Sequence, residues 1–440
     1  MSLPSGSPIP ALRIAGEGPA SAYARRLLAD LGLCVERAPD PPGPVDLHPA
    51  LAWARSGAMA LTGRPDALPR VPTGPLASCA DGAARALRAL GAAAPGDGAA
   101  LLGARAAAAG FGRHGRRSPG GSCRLLRAAD GWGALQLARP DDVAALPAWL
   151  ERPLPSGDEP WALAERALPS RSLTEWAQRA AWLGLPFAPA ARRPEAHPWW
   201  RSFARGPDAD PPRRPPRVVD LSSLWAGPLC GALLAASGAE VWKVESAARP
   251  DGARRGPPDF FRRLNAGKRE LALDFSRDAD RARLAALLGG ADVVIEASRP
   301  RALAQLGLDA QRFVEGRPGR IWLGITGYGR SDPPPGRIAF GDDAAVAAGA
   351  AWAVADADGP LICGDAIADP LTGLHAALAV WAAWRRGLGV GLDLALRDVS
   401  AFALGFAEVA DFEVEGGPDA ARVRAAGPGG GVEPVRAPRC

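Results

Sequence analysis

Two pairs of look-alike segments constrain this 440-residue chain more than anything else in it. Residues 22–38 read AYARRLLADLGLCVERA, and residues 228–244 read PLCGALLAASGAEVWKV. Each has the pattern of a short helix with a Leu-Leu pair, a glycine stop and a strand. A second pair joins PLASCADGAARAL at 75–87 to AIADPLTGLHAAL at 366–378. The offset is 206 residues in the first pair and 291 in the second. An internal duplication whose first copy is shorter by the difference, about 85 residues, accounts for both.

The second half alternates strand and helix patterns. Apolar strand runs are expected at 217–221, 240–245, 270–275, 292–296, 320–325 and 391–396. Helices are expected after the Gly227-Pro228 turn, over 278–288 and over 366–386. Strands separated by helices imply an α/β fold with a Rossmann-like, mostly parallel sheet and ligands at the strand carboxyl ends. In the first half, Asp130-Gly131 between apolar runs predicts a β-hairpin, and 161–168 and 173–183 read as helices of a small α+β unit. Pro211-Pro212-Arg213-Arg214-Pro215-Pro216 reads as a stiff linker. The expected division is a truncated α/β copy at 1–100, a small α+β domain at 101–190 and a linker at 191–216. The main α/β domain follows at 217–400, with a C-terminal extension at 401–440.

Composition narrows the function. Hydrophobic residues make up 48% and charged ones 22%, ordinary for a globular chain. A net charge of +5 without a long basic run, and without a zinc-finger or RNA-binding signature, points to an anionic small ligand rather than nucleic acid. Six scattered cysteines without a CxxC fit neither a zinc site nor a disulfide scaffold, and suggest a reducing cytoplasm. The apolar run at 371–384 is too short to span a bilayer, and the N-terminus lacks a secretory pattern. Only two of the 52 basic residues are lysine, Lys243 and Lys268, and the one asparagine, Asn265, lies between them. A compact ammonium is hard to replace by arginine at a phosphate or in a tight pocket, so this segment attracts attention.

At this point the motifs resemble family III CoA-transferases, the group of formyl-CoA and carnitine-type CoA-transferases. VVDLSSLWAGPLCGALLAASGAEVWKVE, LNAGKRELALDF, DVVIEASRPRALAQLGL, GITGYG and DAIADPLTGLH follow in that family's order between 218 and 375. SGAMALTGRPD and the Asp130-Gly131 hairpin resemble a partial second copy and the family's small domain. The resemblance implies an acyl-CoA:carboxylate CoA-transferase in which an aspartate, here Asp369, attacks the thioester and forms an aspartyl anhydride and then an aspartyl-CoA thioester. Asp369-Pro370 also suits a helix N-cap, a position that holds a carboxylate ionised. Ser78 stands at the equivalent place in the first copy, which should be silent.

The resemblance further implies a CoA ester as substrate, no tightly bound cofactor, a carboxylate acceptor, and a homodimer or an intrachain pseudo-dimer. Expected CoA contacts are Gly227, Pro228, Lys268, Leu273, Arg299 and Arg337. Ala297, Ser298 and Gln305 depart from the family pattern, and Ser246 and Ser276 stand where some members are basic. Those departures motivate a second reading, a catalytically degenerate CoA-ester-binding homologue. A third is a 2-methylacyl-CoA racemase, which needs a histidine where this chain has Phe340; His375 is the nearest substitute. Asp342, Asp343 and Asp365 lie near the same strand ends and are read as turn caps rather than metal ligands.

Overall fold

The apolar runs of the second half become one seven-stranded sheet. The computed structural model describes residues 3, 7–37, 45–153, 159–298, 303, 306–332 and 336–439. In chain order the strands are β1 (Leu12–Ile14), β2 (Val35–Arg37), β3 (Cys123–Arg127), β4 (Trp132–Gln136) and β5 (Phe187–Pro189). The large sheet takes the next seven: β6 (Arg201–Arg205), β7 (Arg217–Asp220), β8 (Glu240–Ser246), β9 (Arg269–Leu273), β10 (Val293–Glu296), β11 (Ile321–Thr326) and β12 (Val390–Ala395). The tail adds β13 (Phe412–Glu415), β14 (Arg422–Ala425) and β15 (Gly431–Pro434).

The large sheet runs β6-β12-β11-β10-β7-β8-β9, parallel throughout except for β6. The chain winds outward from β7 through β8 to β9, then returns to β10 on the other side of β7. That is the doubly wound order, and its switch point lies where β7 and β10 part. Just beyond it the Leu221 N–H still donates to the Ile295 carbonyl at 2.8 Å. Strands β10 to β12 are buried almost throughout, which is why they are written as continuous apolar runs. The Ala368–Arg385 helix is buried nearly all round and has no polar face.

The linker expectation is corrected. Residues 191–216 carry β6, the antiparallel edge strand on β12, with Trp199 and Trp200 buried just before it. The prolines on either side hide this in the sequence, but β6 itself has none.

The two copies pack alike. The Pro19–Asp30 helix lies on the Leu76–Ala89 helix, just as the Ala226–Ala236 helix lies on the Ala368–Arg385 helix. The Leu76–Ala89 and Ala368–Arg385 helices also pack on each other, so one core runs through both halves. Among the described residues the first copy has the β1–β2 parallel pair in place of the large sheet, and no switch point.

The tail is the second surprise. Residues 401–440, expected as a mere extension too short for a small domain, form the antiparallel sheet β13-β14-β15. It repeats the order of β3-β4-β5, without the helices Pro140–Leu150, Pro160–Ala167 and Leu173–Leu183 that intervene between β4 and β5. The two small sheets are exchanged: β4 and β5 pack on the second copy's Gly341–Ala347 helix, and β14 and β15 on the first copy's Pro49–Ser56 helix. After each sheet the chain crosses a left-handed glycine at close range. Arg193-Pro194 lies over Gly349 (φ 99°), and Pro438 lies over Gly57 (φ 86°). A side chain at either glycine would strike that backbone.

Candidate functional site

Asp369 opens the buried helix of the second copy, and the residues before it are bent to present it. Ala366 has φ 45°, a left-handed conformation unusual for alanine. Its N–H is held by Asp342 at 2.7 Å, and its carbonyl accepts from the Asp369 N–H at 2.9 Å. The Asp369 carboxylate lies at the start of the Ala226–Ala236 helix, whose Ala226 N–H favours its charge. That helix follows β7, so the carboxylate sits beside the switch-point crevice. It also lies against Gly341, where a Cβ would come within 2.2 Å of its Oδ2.

Other acids surround it. Asp342 and Asp343 are buried at the head of the Gly341–Ala347 helix, and Asp365 is fully buried just before Ala366. Asp343 accepts the Phe340 N–H at 2.7 Å, while its second oxygen has no protein partner among the described residues. The first half supplies the compensating charge. Arg105 grips Asp365 through two bonds, Nε to Oδ2 at 2.8 Å and Nη2 to Oδ1 at 2.5 Å, and lies over the Trp225 ring. Ser118, also from the first half, donates to Asp342.

Burial pushes the Asp369 carboxyl up to about 7; Asp342 and Asp365 add to this, and Arg105 and the Ala226 N–H oppose it. Burial likewise raises Asp342 to about 6, with Asp365 adding to it and Arg105 pulling back. Asp369 is partly exposed, whereas Asp342, Asp343 and Asp365 are buried, which makes Asp369 the acid of this group within reach of a substrate. Among the described residues no group of three or more His, Cys, Asp or Glu side chains is arranged to hold a metal ion.

Several expected CoA contacts have other duties. The Lys268 ammonium donates to Asp220 Oδ2 at 2.8 Å, the Pro228 carbonyl at 2.8 Å and Asn265 Oδ1 at 3.2 Å. All three of its donors are spent inside the protein, so it is not a phosphate ligand. Lys243 is equally buried, bonded to the Ser222 carbonyl and to Asp251. Burial works against the Asp220 charge, but Lys268 and Lys243 outweigh it and hold the carboxyl below its usual range. The rare lysines and Asn265 were rightly conspicuous, but the reason is a tight buried network under the crevice.

Leu273 is buried among Val219, Val244 and Leu284, so its side chain is core rather than a ligand contact. The helix start at Gly227-Pro228 lies beside Asp369, and Gly227 is pressed against Ser222. Arg337 stacks on Tyr328 and pairs with Asp332 at 3.2 Å, leaving its side chain partly exposed. Arg299 and Gln305 lie outside the described residues. Around the crevice mouth, Arg249 and Arg255 are exposed.

His375 is fully buried, with Nδ1 on the Leu371 carbonyl at 2.7 Å and Nε2 on the Tyr23 hydroxyl at 2.8 Å. Burial lowers it to about 4. A buried, doubly bonded neutral ring cannot serve as the second base of a racemase. Arg105 was missed from sequence. Its one signal is a lone charge in the alanine run of the Ala104–Ala109 helix.

Residues 216–430 match the family model described as CoA-transferase family III. An acyl-CoA transferase of Fusarium pseudograminearum is 33% identical over 41% of this chain and 44% of its own length. A succinate–glutarate CoA-transferase of Agrobacterium fabrum is 33% identical over 44% of this chain and 54% of its own. A crystal structure of a CAIB/BAIF family protein from Brucella suis is 27% identical, with a TM-score of 0.44, over 50% of this chain and 67% of that one. The chain thus spans about half the length of the two enzymes it matches.

Proposed function

We propose that this chain, whose residues 216–430 match the family III CoA-transferase model, is an acyl-CoA:carboxylate CoA-transferase with Asp369 as its nucleophile. The observation that carries the reading is the Asp369 carboxylate, partly exposed at a helix start beside the switch-point crevice. Its oxygen attacks the thioester carbonyl, the C–S bond breaks, and CoA thiolate leaves an acyl-aspartyl anhydride behind. The thiolate then attacks the aspartyl carbonyl and expels the donor carboxylate, giving an aspartyl-CoA thioester. The acceptor carboxylate repeats these two steps in reverse, which regenerates Asp369. No proton changes hands, so a buried neutral histidine is no handicap. Trp225 and the strained Leu224 (φ 71°) line the approach to the Ala226 N–H.

The duplication suggests how the site is enclosed. One chain carries two α/β copies and two small sheets, each sheet resting on the other copy, so the chain works as its own partner. In this reading 1–110 and 205–405 are the α/β copies, and the stretches after them are the exchanged small units. The substrate is a CoA ester, no cofactor is held permanently, and the acceptor is a carboxylic acid.

A second reading, a CoA-ester-binding protein without turnover, rests on the departures from the family pattern at Ala297, Ser298 and Gln305. An exchange assay separates the two. The purified chain is incubated with a panel of acyl-CoAs and isotopically labelled carboxylates, and new acyl-CoAs are detected by mass spectrometry. Label passing into CoA esters supports the transferase; binding of acyl-CoA without exchange supports the second reading.

A further inference from the structure

Arg105 belongs to the half that carries no nucleophile, yet it is the cation nearest the acid group among the described residues. Its guanidinium meets Asp365 as a planar fork, the geometry in which arginine holds a carboxylate best. One face covers Trp225, the residue before the N–H that favours the Asp369 charge. Gly120 of the first half closes on its other side, where a Cβ would lie 3.5 Å from Nη2.

The remaining neighbours of Asp369 do nothing to favour its charge beyond a single N–H. The Gly341–Ala347 helix presents Asp342 and Asp343, the segment before Asp369 presents Cys363 and Asp365, and the small sheet presents the buried Cys123 next to Asp342 and Asp343. Among these neighbours Arg105 is the one cation, and the others are acids or thiols.

Resting on the reading above, we propose that the Arg105–Asp365 pair is a positioning device, built across the two halves, that sets how far Asp369 is ionised. Arg105 supplies a field that opposes burial and favours the carboxylate form of Asp369, and Asp365 ties that arginine in place and moderates it. The nucleophile is thereby more readily ionised when the first half is docked on the second. The effect that Arg105 exerts on Asp369 is in the expected direction, opposing burial.

The two partners act with opposite sign, which a merely structural clamp would not. Removing Arg105 leaves Asp369 among acids alone, so its ionisation moves to higher pH. Removing Asp365 frees Arg105 for Asp369 and moves it to lower pH. The test is a carboxyl carbon-13 titration of aspartate-labelled full-length protein without substrate, with Asp369→Asn identifying the signal. Arg105→Gln should raise the Asp369 midpoint by roughly one to three pH units, and Asp365→Asn should lower it by about one. Arg105→Lys should restore most of the wild-type midpoint. Where the protein turns over, the acid limb of kcat/KM should move with the midpoint. Unchanged midpoints in the variants, or shifts of the same sign, overturn the proposal. If Arg105→Gln does not fold, the direction of the Asp365→Asn shift decides alone. Because the titration uses no acyl-CoA, failure of the transferase reading would leave its result intact.

Discussion

Around Asp369 stand Gly341, Asp342, Asp343 and Asp365; in the first copy the answering helix begins Pro49, Ala50 and Leu51, and Gly74 precedes Ser78 as Asp365 precedes Asp369. One architecture thus surrounds two opposite interiors. In the second copy, buried carboxylates are kept despite their desolvation cost and balanced by an arginine from elsewhere in the chain. In the first, the same places are apolar and belong to the shared core, and Ser78 is buried with no partner for its hydroxyl among the described residues. In the proposed reading the first half is still needed, as a wall and as the source of Arg105.

That necessity gives the largest expected effect. Residues 217–440 alone lack the Leu76–Ala89 helix that covers the Ala368–Arg385 helix, and lack Arg105. The fragment should aggregate or show no activity, with some activity recovered when residues 1–216 are added in trans. A soluble and fully active fragment would break the comparison at its root. Next, Asp369→Asn should lower turnover by on the order of 10³-fold or more, since it removes the nucleophile but not the helix start. Ser78→Ala should leave turnover unchanged, both variants being followed by label exchange.

Gly341→Ala drives a methyl into the Asp369 carboxylate and should cost roughly 10- to 100-fold in kcat with little change in substrate binding. A control in the first copy, Ala50→Gly, should leave activity intact and lower stability by about 1 kcal/mol in urea unfolding. If the two variants behaved alike, the copies would not differ in the way described.

How much of this was open to a reader of the sequence depends on where each segment lies. Strands buried on both faces, such as Val293–Glu296, are unbroken apolar runs, and Asp130-Gly131 marks its hairpin, so the main sheet and the small sheet could be foreseen. Asp369 stood out through its motif. The tail sheet did not, although Phe412-Glu413-Val414-Glu415 and Arg422-Val423-Arg424-Ala425 alternate as half-buried strands do. Glycines and prolines around them masked the period. Lys268 was noticed for its rarity, but rarity could not tell a phosphate ligand from a buried partner of Asp220. Arg105 makes its contact 260 residues away, and a lone charge in an alanine run does not say with what.

The smallest effect expected is on stability. Asp369 holds its proton in the folded state up to about 7, whereas unfolded it would lose it near 4. The folded state therefore binds the extra proton in that window, and the contribution of Asp369 to stability falls as pH rises from about 4 to about 7. Asp369→Asn should flatten that part of the pH profile and raise Tm at pH 8 by a few degrees, while Ser78→Ala leaves the profile unchanged. A profile equally steep in the Asp369→Asn protein would mean the carboxyl is already ionised in the acid range.

The central claim is that one copy reacts and its twin only supports it, and covalent trapping tests this most directly. The full-length protein is incubated with an acyl-CoA that it turns over, quenched with hydroxylamine, digested, and mapped by mass spectrometry across both halves. The account predicts a hydroxamate on Asp369 and none in the first half. A protein that exchanges label yet carries its hydroxamate on Asp342, Asp365 or any residue of the first half would contradict it.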